Sequence, residues 1–164
     1  MQAGQTHDIR SAGNRAIESL RLEKGYRAWG ADIGPDHTPF ESGLGWAVKL
    51  KTDINFKGKA AITQQATQGV KKMLACFTVE DPDVILLGRE TIYRNGQRVG
   101  WLSSGGFGYT TGSPIGYGYV RCADGVDADF VRAGEYELEV STQRIKATVH
   151  MTSLYDPSMQ RVKG

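Results

Sequence analysis

No apolar run in this chain of 164 residues approaches the roughly 18 residues that would carry a helix across a bilayer. The amino terminus, MQAGQTHDIRSAG, is polar and has none of the apolar core that a secretory signal needs. These absences predict an intracellular protein, cytoplasmic, or of the mitochondrial matrix in a eukaryote. Charge of one sign is missing as well. The 20 basic and 18 acidic residues leave a net charge of +2, and no Lys/Arg block is interleaved with aromatics, so neither nucleic acid nor a membrane surface is expected as a partner. Cysteine is scarce. Cys76 and Cys122 lie far apart in strand-like segments, and reduced, buried thiols are expected rather than a disulfide. His7, His37 and His150 share no ligand spacing, and there is no HExxH or CxxC, so no metal site is predicted. The nucleophile elbow GxSxG is also absent.

What is present divides near residue 70. After a lead-in of ten residues without periodicity, SAGNRAIESLRLEKG sets Ala12, Ala16, Ile17 and Leu20 at helical spacing. A helix from about Ala12 to Lys24 is predicted, with Ser11 as N-cap and Gly25 as C-terminal stop. A loop rich in glycine and proline comes next, then a short strand-like WAVKL at Trp46–Leu50. A second helix is predicted from about Gly58 to Gln68, stopped by Gly69. Beyond Val70 the segments MLACFTVE, ETIYRN, QRVGWLSS, PIGYGYVR, EYELEVS and QRIKATVHM all read as strands, with no helical pattern between them. Asn95-Gly96 is a strong hairpin signal, because a type I′ turn needs positive φ at both central residues. A second hairpin is expected around Ser141–Arg144. The predicted class is α+β. Residues 1–70 would be the end of a larger domain with two helices and a long loop, and residues 71–164 a small antiparallel β-barrel or jelly-roll.

Two glycine clusters, Gly43-Leu44-Gly45 and Gly106-Phe107-Gly108, lack the strand before and helix after that a phosphate loop requires. They read as turns. Asp81, Asp83, Asp124, Asp127 and Asp129 read as turn formers. The informative stretch is Ser19–Trp46, SLRLEKGYRAWGADIGPDHTPFESGLGW. A carboxylate at a helix end, Glu23, is followed by aromatics on a loop, which would suit a flat polar heterocycle. The alternative is an exposed carboxylate paired with Arg27 one turn on.

That stretch resembles the folate-binding part of the glycine-cleavage T-protein (aminomethyltransferase) superfamily. The resemblance rests on Ser19–Glu23 (SLRLE), Trp29-Gly30-Ala31-Asp32-Ile33, Thr38-Pro39-Phe40-Glu41 and Trp46 in matching order. EKGYRAWGAD, Glu23–Asp32, is closer to the version fused to FAD-dependent dimethylglycine and sarcosine dehydrogenases than to the stand-alone transferase. DINFKGKAA at Asp53–Ala61, VGWLSSG at Val99–Gly105 and IGYGYV at Ile115–Val120 extend the likeness over nearly the whole chain. An arginine that the T-proteins carry just before this motif is replaced here by Ile17.

The resemblance implies that Glu23 holds the pterin of tetrahydrofolate. The 2-amino group and N3–H of a pterin form a paired donor edge that a carboxylate can accept. It also implies basic or aromatic groups around folate, for which Lys51 and Arg161 are the candidates by chemistry. The family's catalytic aspartate and FAD-binding domain lie upstream of the matching region, so no catalytic residue is assigned here. The implied enzyme passes a one-carbon unit from an N-methyl amine to tetrahydrofolate. FAD would be held in an upstream domain or a separate subunit, and this chain alone would be inactive. Two other readings stay open: a stand-alone aminomethyltransferase remnant, and a non-catalytic relative like the regulatory subunit of pyruvate dehydrogenase phosphatase.

Overall fold

The computed structural model describes residues 2–164. Six strands come after the second helix: β1 (Val70–Thr78), β2 (Thr91–Arg94), β3 (Gln97–Gly108), β4 (Ser113–Val126), β5 (Tyr136–Val140) and β6 (Gln143–His150). They close into a barrel in the order β1-β4-β3-β2-β5-β6, and every pairing is antiparallel. The α+β class and the antiparallel barrel expected from the run of strand-like segments are both present. Asn95 (φ 50°) and Gly96 (φ 77°) make the two-residue turn between β2 and β3. Ser141 (φ 48°) and Thr142 (φ 71°) make the corresponding turn between β5 and β6 without a glycine.

The period-two pattern serves two cores. Alternate residues Ala75, Phe77, Leu102, Val120 and Leu138 fill the barrel together with Ile92 and Tyr136. Their neighbours of opposite parity, Leu74, Cys76, Ile115, Tyr117 and Tyr119, form a second cluster on the outer face, under Leu22. Helix α1 (Asn14–Lys24) lies on that outer face. Burial pushes the Cys76 thiol up to about 12, leaving it protonated and inert, while Cys122 is only half-buried; both are free.

Several local expectations are corrected. Helix α1 begins at Asn14 rather than Ala12, and Gly13, not Ser11, occupies its N-cap. It turns Ser19, Leu22 and Glu23 to the barrel. The apolar face expected at Ile17 and Leu20 is instead 63% and 62% exposed. Gln2–His7, expected to be irregular, is a 3-10 segment, and Met1 lies outside the described residues. WAVKL is no strand: Gly45–Ala47 is one 3-10 turn, with the ring of Phe40 against Gly45. A closed ring offers no edge for a seventh strand to join. Between β4 and β5 sits a short helix, α3 (Ala128–Arg132), which the sequence pattern hid. Asp127 accepts the Phe130 N–H as its N-cap at 2.7 Å. The second helix, α2 (Lys59–Gln68), has its expected place and its Gly69 stop, yet buries no side chain. A last turn, α4 (Gln160–Lys163), ends the chain. No helix among the described residues is long and apolar enough to cross a membrane.

Candidate functional site

Helix α1 is fixed on the barrel at both ends. Ser19 Oγ donates to the Phe107 carbonyl at 2.7 Å, and Tyr117 OH donates to the Leu22 carbonyl at 3.1 Å. Gly25 takes the left-handed conformation (φ 75°) that ends the helix and lets its N–H return to the carbonyls of Arg21 and Leu22. The following loop is tied down by Asp32, which is fully buried. Asp32 Oδ2 accepts from Arg21 Nη1 at 2.6 Å and from the Ala28 N–H at 3.0 Å. Its Oδ1 accepts from the Ser103 and Ser104 hydroxyls, and its carbonyl accepts from Tyr119 OH at 2.8 Å. A buried carboxylate is tolerable only with this degree of pairing. Asp32 is therefore the fastener of the loop.

Glu23 is the other buried carboxylate, 2% exposed. Its Oε1 accepts the N–H groups of Thr110 and Thr111, at 2.5 and 3.1 Å, in the turn between β3 and β4. Gly108 allows this approach, since a Cβ there would overlap Thr111 Oγ1 and lie 3.1 Å from Glu23 Cγ. Among the described residues, Oε2 has no hydrogen-bond partner. It thus remains an acceptor at the side of a cleft of about 440 Å³ lined by Glu23, Ile17, Leu20, Tyr26, Tyr155 and Arg161. Arg27, offered as a partner for Glu23, instead donates to the carbonyls of Gly25 and Ser42.

The opposite wall of the cleft comes from the end of the chain. The Tyr155 N–H donates to the Glu23 carbonyl at 2.9 Å. Lys24 Nζ lies 2.9 Å from Asp156 Oδ2 and donates to the Asp156 carbonyl at 2.7 Å. The Lys24 hydrogen bond, reinforced by the backbone N–H groups of Gln160 and Arg161, holds the Asp156 carboxyl below its usual range.

The structure brings Glu23 and Arg161 to one cleft and leaves Lys51 on an exposed turn outside it. Trp46, which closed the suggestive loop in the sequence, is 82% exposed and does not line the cleft. Tyr26 and Tyr155 supply the aromatic surface instead. Tyr155 was missed because nothing local couples it to a helix more than a hundred residues earlier. Ile17 lines the same cleft.

The family description "Glycine cleavage T-protein C-terminal barrel domain" matches residues 72–156. The chain belongs to the glycine-cleavage T-protein superfamily. A second description, "GCVT N-terminal domain", matches residues 1–52. Mitochondrial sarcosine dehydrogenase of Mus musculus is 46% identical over 166 residues, covering 100% of this chain and 18% of that protein. The mitochondrial pyruvate dehydrogenase phosphatase regulatory subunit of Mus musculus is 39% identical over 158 residues, covering 90% of this chain and 18% of that protein. The crystal structure of the glycine cleavage system aminomethyltransferase T from Bartonella henselae superposes with a TM-score of 0.77 at 28% identity, covering 91% of this chain and 40% of that one. The chain therefore spans about a fifth of the length of these two curated relatives.

Proposed function

We propose that this chain is the carboxy-terminal, folate-binding portion of a dimethylglycine or sarcosine dehydrogenase-like enzyme, which passes a one-carbon unit from an N-methyl amine to tetrahydrofolate. Residues 1–70 would be the end of the folate-binding domain and residues 71–164 its barrel. The observation that carries the reading is Glu23, a buried carboxylate with one oxygen held by the barrel turn and the other free beside an apolar, tyrosine-lined cleft. A pterin presents a donor edge and a flat aromatic body, which these groups complement. Oε1 already holds two backbone N–H groups, so the pterin edge falls to Oε2 rather than to a fork across both oxygens. Tyr26 and Tyr155 supply the aromatic wall and Arg161 a cation. Lys51 would meet the ligand only where it extends beyond the cleft.

Bound tetrahydrofolate supplies the nitrogen that accepts the one-carbon unit; this chain's residues bind and orient it. FAD belongs to the upstream domain or a separate subunit, and the chain alone is expected to give no turnover. The similarity to mitochondrial dehydrogenases favours the matrix in a eukaryote and the cytoplasm otherwise.

Calorimetric titration with tetrahydrofolate tests the reading, using this chain joined to the amino-terminal part of its T-domain. Glu23→Gln retains an oxygen for the turn and places an amide N–H₂ opposite the pterin donors. Its affinity should fall by about a hundredfold, as expected when a charged hydrogen bond is replaced by a donor clash. Unchanged affinity would sink the proposal. No binding by the unsubstituted protein would favour the non-catalytic, regulatory reading that the pyruvate dehydrogenase phosphatase relative suggests.

A further inference from the structure

We infer that Lys24 and Asp156 form a latch that holds residues 151–164 as the movable wall of the Glu23 cleft, and that this latch determines affinity for the carboxylate-bearing tail of the ligand rather than for its pterin. The inference rests on the folate reading above for the identity of the ligand, but not for the latch itself.

Regular sheet pairing ends at His150. Beyond it, three features tie the segment to α1. Leu154 packs against the outer cluster around Leu22, the Tyr155 N–H reaches the Glu23 carbonyl, and Lys24 binds Asp156 through both its carboxylate and its carbonyl. The ion pair is the only one of the three that joins charged groups. Its side chains are 11% and 8% exposed, so it is shielded from the screening that makes surface pairs nearly worthless. The same Asp156 carboxylate organises the last turn of the chain. Oδ2 faces Lys24, while Oδ1 accepts the Gln160 N–H at 2.8 Å and so fixes the start of α4. A helix of four residues cannot hold itself together in water. Its position, and with it that of Arg161, depends on this carboxylate.

Arg161 matters because the other cations of the cleft are already engaged. Arg21 is paired with Glu18 and Asp32, and Lys24 with Asp156. Among the described residues, the Arg161 guanidinium forms no ion pair, although its backbone N–H faces the Asp156 carboxyl. An anionic tail entering the cleft would meet Arg161 as its free cation, while the pterin end would meet Glu23. The latch is thus a positioning pair, one step removed from the ligand.

Three variants separate the roles. Asp156→Asn keeps an acceptor for the Gln160 N–H but loses the charge, Lys24→Met removes the cation, and Lys24→Arg retains it. The first readout is amide hydrogen exchange of the 164-residue chain without ligand. Asp156→Asn and Lys24→Met should raise exchange across residues 151–164 by about tenfold while the barrel strands keep their protection, and Lys24→Arg should restore most of it. Unchanged exchange in both Asp156→Asn and Lys24→Met would overturn the latch. The second readout compares tetrahydrofolate with a tetrahydropterin that lacks the aminobenzoyl-glutamate tail, on the chain joined to the rest of its T-domain. Asp156→Asn should weaken tetrahydrofolate about tenfold and the bare pterin by no more than about twofold, because Leu154 and the bond from the Tyr155 N–H to the Glu23 carbonyl still hold that ring beside Glu23. Equal losses for the two ligands would overturn the tail assignment. If the unsubstituted protein binds neither ligand, the folate reading fails, and the exchange comparison still decides the latch.

Discussion

The barrel and the segment before it are held by opposite means. Inside the barrel, Phe77, Ile92, Leu102, Val120 and Leu138 are buried apolar side chains supplied by alternating strand positions. The amino-terminal segment contributes Leu22 to the outer cluster, but its other deeply buried side chains are polar: Ser19, Glu23, Asp32 and Ser42. Each bonds to the barrel or to the loop that lies on it. A segment without a core of its own is attached by directional hooks, and such hooks fix position more sharply than apolar contact does. That precision suits a region that must place one carboxylate beside a cleft.

The largest effect should come from the barrel. Phe77→Ala removes a fully buried ring that packs edge-on against Tyr136 at 5.2 Å, and should cost about 3–5 kcal/mol in chemical denaturation, loosening the whole chain. Asp32→Asn is the counterpart in the other region. Leaving Arg21 half-paired should cost about 2–4 kcal/mol, with hydrogen exchange rising over residues 19–46 while the barrel strands stay protected. If both variants loosened the two regions equally, the contrast between core and hooks would collapse.

The contrast also explains what could be read from the sequence. Strand-like composition and the Asn95-Gly96 turn are local signals, and a barrel built from them was legible. So were the glycine stops at Gly25 and Gly69. The hooks were not, because their partners are remote: Glu23 meets Thr110 across 87 residues and Asp32 meets Ser104 across 72. The same distance misled the reading of α1. Ile17 and Leu20 looked like its core face, yet Ser19 and Glu23 turn inward because barrel groups satisfy them. WAVKL had strand-like chemistry but no edge to join. The helix α3 lay concealed in a polar run whose Asp127 was read as an ordinary turn former.

Acid should act on each region through one histidine. Burial lowers the pKa of His37, stacked on Tyr119 with its ring centroid 4.6 Å away, and the positive charge of Lys72 adds to the effect. Burial alone lowers that of His150, which bonds Thr78 Oγ1 at 2.8 Å. For both, the unfolded chain takes up its proton first, near the ordinary value of 6.5. Their contribution is therefore full above that pH and is lost on acidification below it. Denaturation curves across pH 5–8, in roughly unit steps, should show this slope. His37→Asn and His150→Gln should each remove part of it, and a slope untouched by either would contradict the assignment. The smallest expected effect is a gain. Thr142 is β-branched and sits at φ 71°, so Thr142→Gly should stabilise the barrel by about 1 kcal/mol, read as a higher melting temperature.

The closed ring of six strands has one more consequence. An unpaired strand edge is a template for pairing with another chain. Here every strand already has two neighbours. The barrel therefore presents no strand that lacks a partner on one side, the usual template for intermolecular sheets. A contact with another chain then falls to side chains and loops rather than to an added strand.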